Sequence, residues 1–212
     1  MNELTALDLF CGQGGASMGL HRAGFTVTGV DIIPQPNYPF RMYVKDALTF
    51  PIEYMQRFDL IWASPPCQFA SILTPKEAKH RHDNLIHLTR ERLEQAGVPY
   101  IIENVKGAKE HLDNPIMLCG TMFGLKVWRH RYFEVSFMCA MPGPCKHDSP
   151  PVLVSGTPTR KRADGTLDRT EPLIAAKSEA MGIDWMTTRG LDEAIPPAYS
   201  EHIAKEFMNG IL

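Results

Sequence analysis

Three short groups of reactive side chains stand out along the chain. Cys67 follows Pro65-Pro66 and precedes Gln68. Glu103-Asn104 closes the apolar run that begins at Val98. Arg129 and Arg131 lie two residues apart. A thiol can act as a nucleophile, a carboxyl group can move a proton, and a pair of guanidiniums can clamp an anion or orient a base. Each group also has an ordinary explanation. Cys67 could be a buried structural thiol at a strand end, since free cysteine is commonly a small buried hydrophobe. Glu103 could cap the helix expected near Lys106–His111, and the arginines could be surface charge.

The elements expected around these groups favour a site. Asp59-Leu60-Ile61-Trp62 reads as a buried strand that must stop at the two prolines, because proline fixes φ and offers no amide donor. Val98 to Val105 reads as a second buried strand, ending in the acid and the amide. Lys126 to Val135 reads as a strand with Arg129 and Arg131 on one face, since side chains alternate with period two. Cys67, Glu103 and Asn104 thus fall at carboxyl ends of strands, where ligands collect in open α/β sheets. Between Cys67 and a helix expected over 84–96 lies a polar segment with Lys76, Lys79, His80, Arg81 and His82. A connection of that length and cationic content suits either a lid that meets phosphates or a solvated surface loop.

The amino-terminal third supplies a nucleotide-type unit. Strand Thr5–Phe10 runs into Cys11-Gly12-Gln13-Gly14-Gly15. A helix ending at Gly24 follows, then strand Phe25–Asp31. Glycines let the backbone approach a ligand, and an acid after the second strand can accept from ribose hydroxyls. Ser17 stands where the dinucleotide fingerprint has its third glycine, and no Gly-Lys-Ser/Thr marks a triphosphate site. Arg41–Val44 reads as a third strand ending near Asp46, which could bond an adenine amine or cap the short helix that follows.

The 212 residues suffice for one α/β domain with a small appendage. The net charge of −2 gives no global basic field, so any nucleic-acid contact must be local. The five cysteines are odd in number and scattered, which suits a reducing, intracellular setting better than a disulfide framework. No signal peptide or membrane span is apparent.

Taken in order, Asp8-Leu9-Phe10-Cys11-Gly12-Gln13-Gly14-Gly15, Pro65-Pro66-Cys67-Gln68, Glu103-Asn104-Val105 and Arg129-x-Arg131 resemble the motif series of the DNA (cytosine-5) methyltransferases. The resemblance implies a Rossmann-like class I methyltransferase fold with a mostly parallel sheet. It implies S-adenosylmethionine as cofactor and methylation of cytosine C5 in double-stranded DNA, the base being flipped out. By the same resemblance Cys67 attacks cytosine C6, Glu103 partners N3, Asn104 orients the site, and Arg129 and Arg131 position base and nucleophile. The cofactor would lie against Phe10, Gly12, Gly14, Ile32 and Ala47, with Asp31 at its ribose, Asp46 at its adenine, and Pro66 beside it. The same chemistry on RNA or a free nucleotide, or a silent DNA-binding relative, is the alternative. The Cys-Phe-Thr signature of the tRNA-directed relatives is absent after Pro66, which favours DNA. Ala70, Val127 and Glu193 depart from the family pattern.

Residues 1–133 are expected to form the core, 134–172 a reduced target-recognition insert, and 173–212 a segment returning to the core. The insert carries the basic run Arg160-Lys161-Arg162 and Arg169, a solvated turn or a phosphate contact. Its Cys139, Cys145 and His147 fit no common zinc-finger spacing and lack an evident fourth ligand, so no metal is expected. A helix opening near Pro196-Pro197 should pack on the core.

Overall fold

The computed structural model describes residues 3–66, 85–154, 160–161, 167–168 and 173–211. Its main sheet has seven strands in the order β3-β2-β1-β4-β5-β7-β6. They are β1 (Thr5–Leu9), β2 (Thr26–Asp31), β3 (Arg41–Val44), β4 (Leu60–Ala63), β5 (Tyr100–Asn104), β6 (Ile116–Leu118) and β7 (Arg131–Val135). β1 to β5 pair in parallel, and β7 is antiparallel to both β5 and β6. This is the expected mostly parallel α/β class.

Alternation along the strands explains the layers. Ala6, Leu60, Trp62 and Ile101 point to one face, where helices α1 (Gly15–Arg22) and α6 (Pro197–Ile211) cover them. Leu7, Leu9, Ile61, Ala63 and Ile102 point to the other, beneath α2 (Ile52–Met55) and α3 (Leu85–Ala96). Both faces are buried, so the strands read as continuous apolar runs. α1 and α6 approach closely because Gly19 has no side chain; a Cβ there would lie 2.0 Å from Ser200 Oγ and 2.1 Å from the Pro197 carbonyl. Ser200 Oγ donates to the Ala16 carbonyl across the same contact at 2.8 Å.

A third, smaller core joins Val127 and Val154 to α4 (Ile174–Met181) and α5 (Thr188–Glu193), through Met181, Ile183, Met186 and Leu191. Val127 is therefore a packing residue in this unit. Lys177 of α4 is fully buried and pairs with Asp192 Oδ1 of α5 at 2.8 Å.

Three expectations change. The strand expected over 126–135 is regular only from Arg131. Upstream, the backbone serves other partners: Gly120 donates to the Trp128 carbonyl and Val152 to that of Lys126. Arg129 takes a left-handed φ of 27° and ends the run. The helix expected near Lys106–His111 is a 3-10 segment whose N-cap is Val105, so Glu103 does not cap it. β6 was not anticipated; three residues carry too little pattern.

Candidate active site

The chain lays down β1, β2 and β3 on one side, then returns to place β4 and β5 on the other. The crevice at such a reversal lies between the carboxyl ends of the two central strands. Here those ends are the Phe10–Gly15 turn and the Ser64–Pro66 turn, joined by the Ser64 amide donating to the Leu9 carbonyl at 3.2 Å. Phe10 itself has φ 60°, an uncommon conformation for a residue with a side chain. Gly12 and Gly14 follow with φ of 49° and 87°, and space beside Gly12 is open to at least 4 Å.

Asp31, at the end of β2, organises this turn. Its Oδ2 accepts from the Gly12 amide at 2.9 Å and its Oδ1 from the Ile33 amide at 3.0 Å. Each carboxylate oxygen keeps a free lone pair for a hydroxyl donor. Ile32 is 67% exposed beside it, an apolar surface at the mouth of the crevice. Asp46 Oδ1 accepts from the Leu48 amide at 2.9 Å, closing a turn, whereas α2 is capped from Pro51. The helix-capping role considered for Asp46 is thus excluded. Ala47 is buried behind it. A cleft of about 410 Å³ flanks Asp46 and includes Tyr43, Phe50 and Tyr54, but not Asp31 or Pro66. An acid with open lone pairs, a glycine turn with open space and an exposed apolar residue are the donor set that a ribose–adenine ligand needs.

The second half of the site grows from β4 and β5. Asn104 is buried; its Nδ2 donates to the Pro65 carbonyl at 3.0 Å and its Oδ1 accepts from the Val105 amide at 2.9 Å. The amide therefore grips the proline turn that leads directly into Cys67. Cys67, the segment after it and Ala70 lie outside the described residues. Pro66 is exposed at the turn.

Glu103 is buried and its Oε1 lies 3.0 Å from Arg131 Nε. That contact is an ion pair without hydrogen-bond alignment, so Oε1 has no hydrogen-bond donor among the described residues. Burial raises the Glu103 pKa, and Arg131, Arg129 and a Ser64 hydrogen bond oppose the rise. The carboxyl is thereby held closer to the protonated state than a solvated glutamate. Arg129 does not share the strand face with Arg131. Its Nη1 and Nη2 donate at 2.7 Å to the carbonyls of Val154 and Asp192, and Tyr199 donates to its own carbonyl at 2.9 Å. Burial, then Arg131, lowers its pKa to about 9, which leaves it charged at neutral pH. Arg129 thus ties the start of β7 to α5 and to Val154 while lending charge toward Glu103.

Several contributors were not legible in the sequence. Ser17 donates to buried Asp8 and meets the Tyr38 hydroxyl at 2.7 Å. Burial raises the Asp8 pKa to about 7, opposed by the Ser17 hydrogen bonds. Gln13 receives the Trp185 indole at its carbonyl, at 2.8 Å, and the Thr187 amide at Oε1, at 3.0 Å. Trp185 and Thr187 thus meet the glycine turn, whereas Glu193 pairs with Arg189 on the surface. Tyr38 and Gln13 are polar or loop residues whose partners lie far along the chain, so no local pattern marks them. Cys139 does not join Cys145 and His147; it packs against the main core, and burial followed by Glu206 raises its thiol pKa to about 11.

Comparison with known proteins adds the family. The family model described as C-5 cytosine-specific DNA methylase matches residues 4–118. No curated protein sequence matches the chain. Among solved structures, a DNA modification methyltransferase encoded within an E. coli prophage is similar with a TM-score of 0.67 at 16% identity, over 97% of this chain and 99% of that one. The Entamoeba histolytica methyltransferase EhMeth is similar with a TM-score of 0.67 at 14% identity, over 100% of both chains. The S. pombe Dnmt2 methyltransferase is similar with a TM-score of 0.65 at 13% identity, over 99% of both. At these identities the structural likeness shows the fold.

Proposed function

Because the chain belongs to the C-5 cytosine-specific DNA methylase family, and so is an S-adenosylmethionine-dependent cytosine methyltransferase, we propose that it modifies a cytosine flipped from duplex DNA through a covalent Cys67 adduct. One observation carries the reading: a buried, ion-paired Glu103 carboxyl stands beside the proline turn that Asn104 holds at the entry to Cys67.

Cytosine C5 is a poor nucleophile. Addition of the Cys67 sulfur to C6 pushes ring electrons toward N3, where Glu103 supplies a proton or shares one. The ring is then an enamine and C5 becomes electron-rich. Arg131 holds Glu103 and lends positive charge to the same place. After methylation a base removes the C5 proton, that electron pair re-forms the C5–C6 double bond, and the C6–S bond breaks with its pair on sulfur, releasing the Cys67 thiolate. The methyl donor would sit against Phe10, Gly12 and Gly14, with Asp31 at its ribose hydroxyls, Ile32 against its adenine, Asp46 and Ala47 beyond, and Pro66 on the near side. S-adenosylmethionine supplies there an electrophilic methyl group on a sulfonium. Residues 134–172 serve as a reduced recognition insert and 173–212 as the segment that closes on the glycine turn.

Labelled S-adenosylmethionine should be incubated with duplex DNA, RNA or dCMP in parallel. Label is expected in DNA cytosine; label confined to RNA or dCMP would overturn the DNA reading. A duplex carrying 5-fluorocytosine should form a denaturation-resistant adduct with the wild-type protein and none with Cys67→Ala, because fluorine cannot leave as a proton. Turnover by Cys67→Ala at the wild-type rate would exclude covalent catalysis.

A further inference from the structure

Cys119, His130, Cys145 and His147 each offer one ligand atom, and the four atoms lie within 4.8 Å of one another. They come from three separate stretches: Cys119 follows β6, His130 sits between the two arginines, and Cys145 and His147 belong to the insert. The geometry points to a structural zinc site that fastens the insert to the catalytic core. This inference stands independently of the reaction proposed above.

Ligand chemistry supports the assignment. Two thiolates and two imidazoles around one point are a Cys2His2 set, which selects zinc among available divalent metals by softness and tetrahedral preference. Zinc–sulfur and zinc–nitrogen bonds of about 2.3 and 2.0–2.1 Å place sulfur and nitrogen on one tetrahedron about 3.6 Å apart. Cys119 Sγ and His147 Nε2 are 3.4 Å apart. Four protein ligands leave no open position, which marks a structural rather than a hydrolytic metal. Binding releases the two thiol protons to solvent. Each sulfur and each unprotonated ring nitrogen then donates a lone pair, no electron is transferred, and the two thiolates balance the dication.

Outer contacts are arranged for such ligands. The His147 ring stacks on Trp128 with centroids 4.2 Å apart and planes inclined by 13°. Thr121 Oγ1 lies 3.2 Å from Cys119 Sγ and accepts from the Lys146 amide at 3.1 Å, which leaves its hydroxyl hydrogen for the sulfur. Cys119 is fully buried at the base of the cluster and His147 is exposed at its rim. A metal on His130 would also brace the left-handed turn at Arg129 and the start of β7.

The test is the zinc content of the untagged full chain, expressed with added zinc and passed over a chelating resin. Wild type should hold one zinc per chain. Cys145→Ser and His147→Gln should lower that at least tenfold, and Cys139→Ser should retain it. Cobalt loading should give the visible bands of a tetrahedral site with thiolate charge transfer. Should a variant fail to fold, titrating the wild-type thiols with a mercurial decides the matter, because zinc must then appear in solution as the thiols react. Wild-type protein with less than a tenth of a zinc per chain, folded Cys145→Ser and His147→Gln variants that both keep their zinc, or zinc lost on Cys139→Ser would each overturn the assignment.

Discussion

At the scale of single residues, two buried acids carry distinct tasks. Glu103 lies against Arg131, and burial raises its pKa, which in the proposed mechanism assists donation to a ring nitrogen. Replacing it with Gln keeps an N–H donor but removes a transferable proton. The expected outcome is a fall in kcat on the order of 10²-fold, with S-adenosylmethionine binding retained. Wild-type kcat should decline as pH rises through the raised Glu103 pKa, and Glu103→Gln should lose that limb in a pH–rate profile. Asp8 acts on stability. Its folded pKa of about 7 exceeds the ordinary carboxylate value of 3.8, so between those pH values the folded state holds a proton that the unfolded chain has released. The associated stability is full below the unfolded pKa and is lost as pH rises through about 7. The whole shift corresponds to about 4 kcal/mol. Urea unfolding at pH 5 and pH 8 should show this loss in wild type, and Asp8→Asn should reduce it markedly.

At the scale of elements, the contact of α1 with α6 positions the glycine turn. Gly19 is the point of closest approach, and Ser200 bonds the α1 backbone beside it. Gly19→Val forces a side chain into backbone and hydroxyl atoms that cannot withdraw. It should cost about 1–3 kcal/mol, read as a lower urea midpoint at unchanged m, and should weaken S-adenosylmethionine binding because α1 begins at that turn. A second joint lies between α3 and β7. Arg90 forms a bidentate pair with buried Glu134, through Nε at 2.8 Å and Nη2 at 2.6 Å. It fixes the strand that carries Arg131 to α3.

At the scale of the whole molecule, a net charge of −2 leaves DNA contact to local features. No helix among the described residues is long and apolar enough to cross a membrane. Arg160–Lys161 pairs antiparallel with Leu167–Asp168 in a two-stranded ribbon, within the proposed recognition insert. Changing Arg160, Lys161 and Arg162 to Gln should weaken duplex binding at low salt. It should reduce the slope of log affinity against log salt by about 0.9 for each phosphate contact removed. Fluorescence anisotropy across a salt series measures both, and an unchanged slope would move the phosphate contacts elsewhere.

Much of the site could be read before any folding was considered. The glycine turn, Asp31, Glu103 and Asn104 end apolar runs, and a strand's period and its termination are local properties of the chain. The ordered motifs likewise pointed to the family and the α/β class. Tertiary structure alone decided what each group touches. It gave Arg129 to the carbonyls of Val154 and Asp192, buried Lys177 against Asp192, and folded Tyr38 beneath the glycine turn. It also removed Cys139 from the set with Cys145 and His147 and replaced it with Cys119 and His130. Those partners come from separate loops and helices, brought together by packing that no run of neighbouring residues encodes. Local periodicity fixes which way a side chain points, whereas only the packed strands and helices fix what it meets.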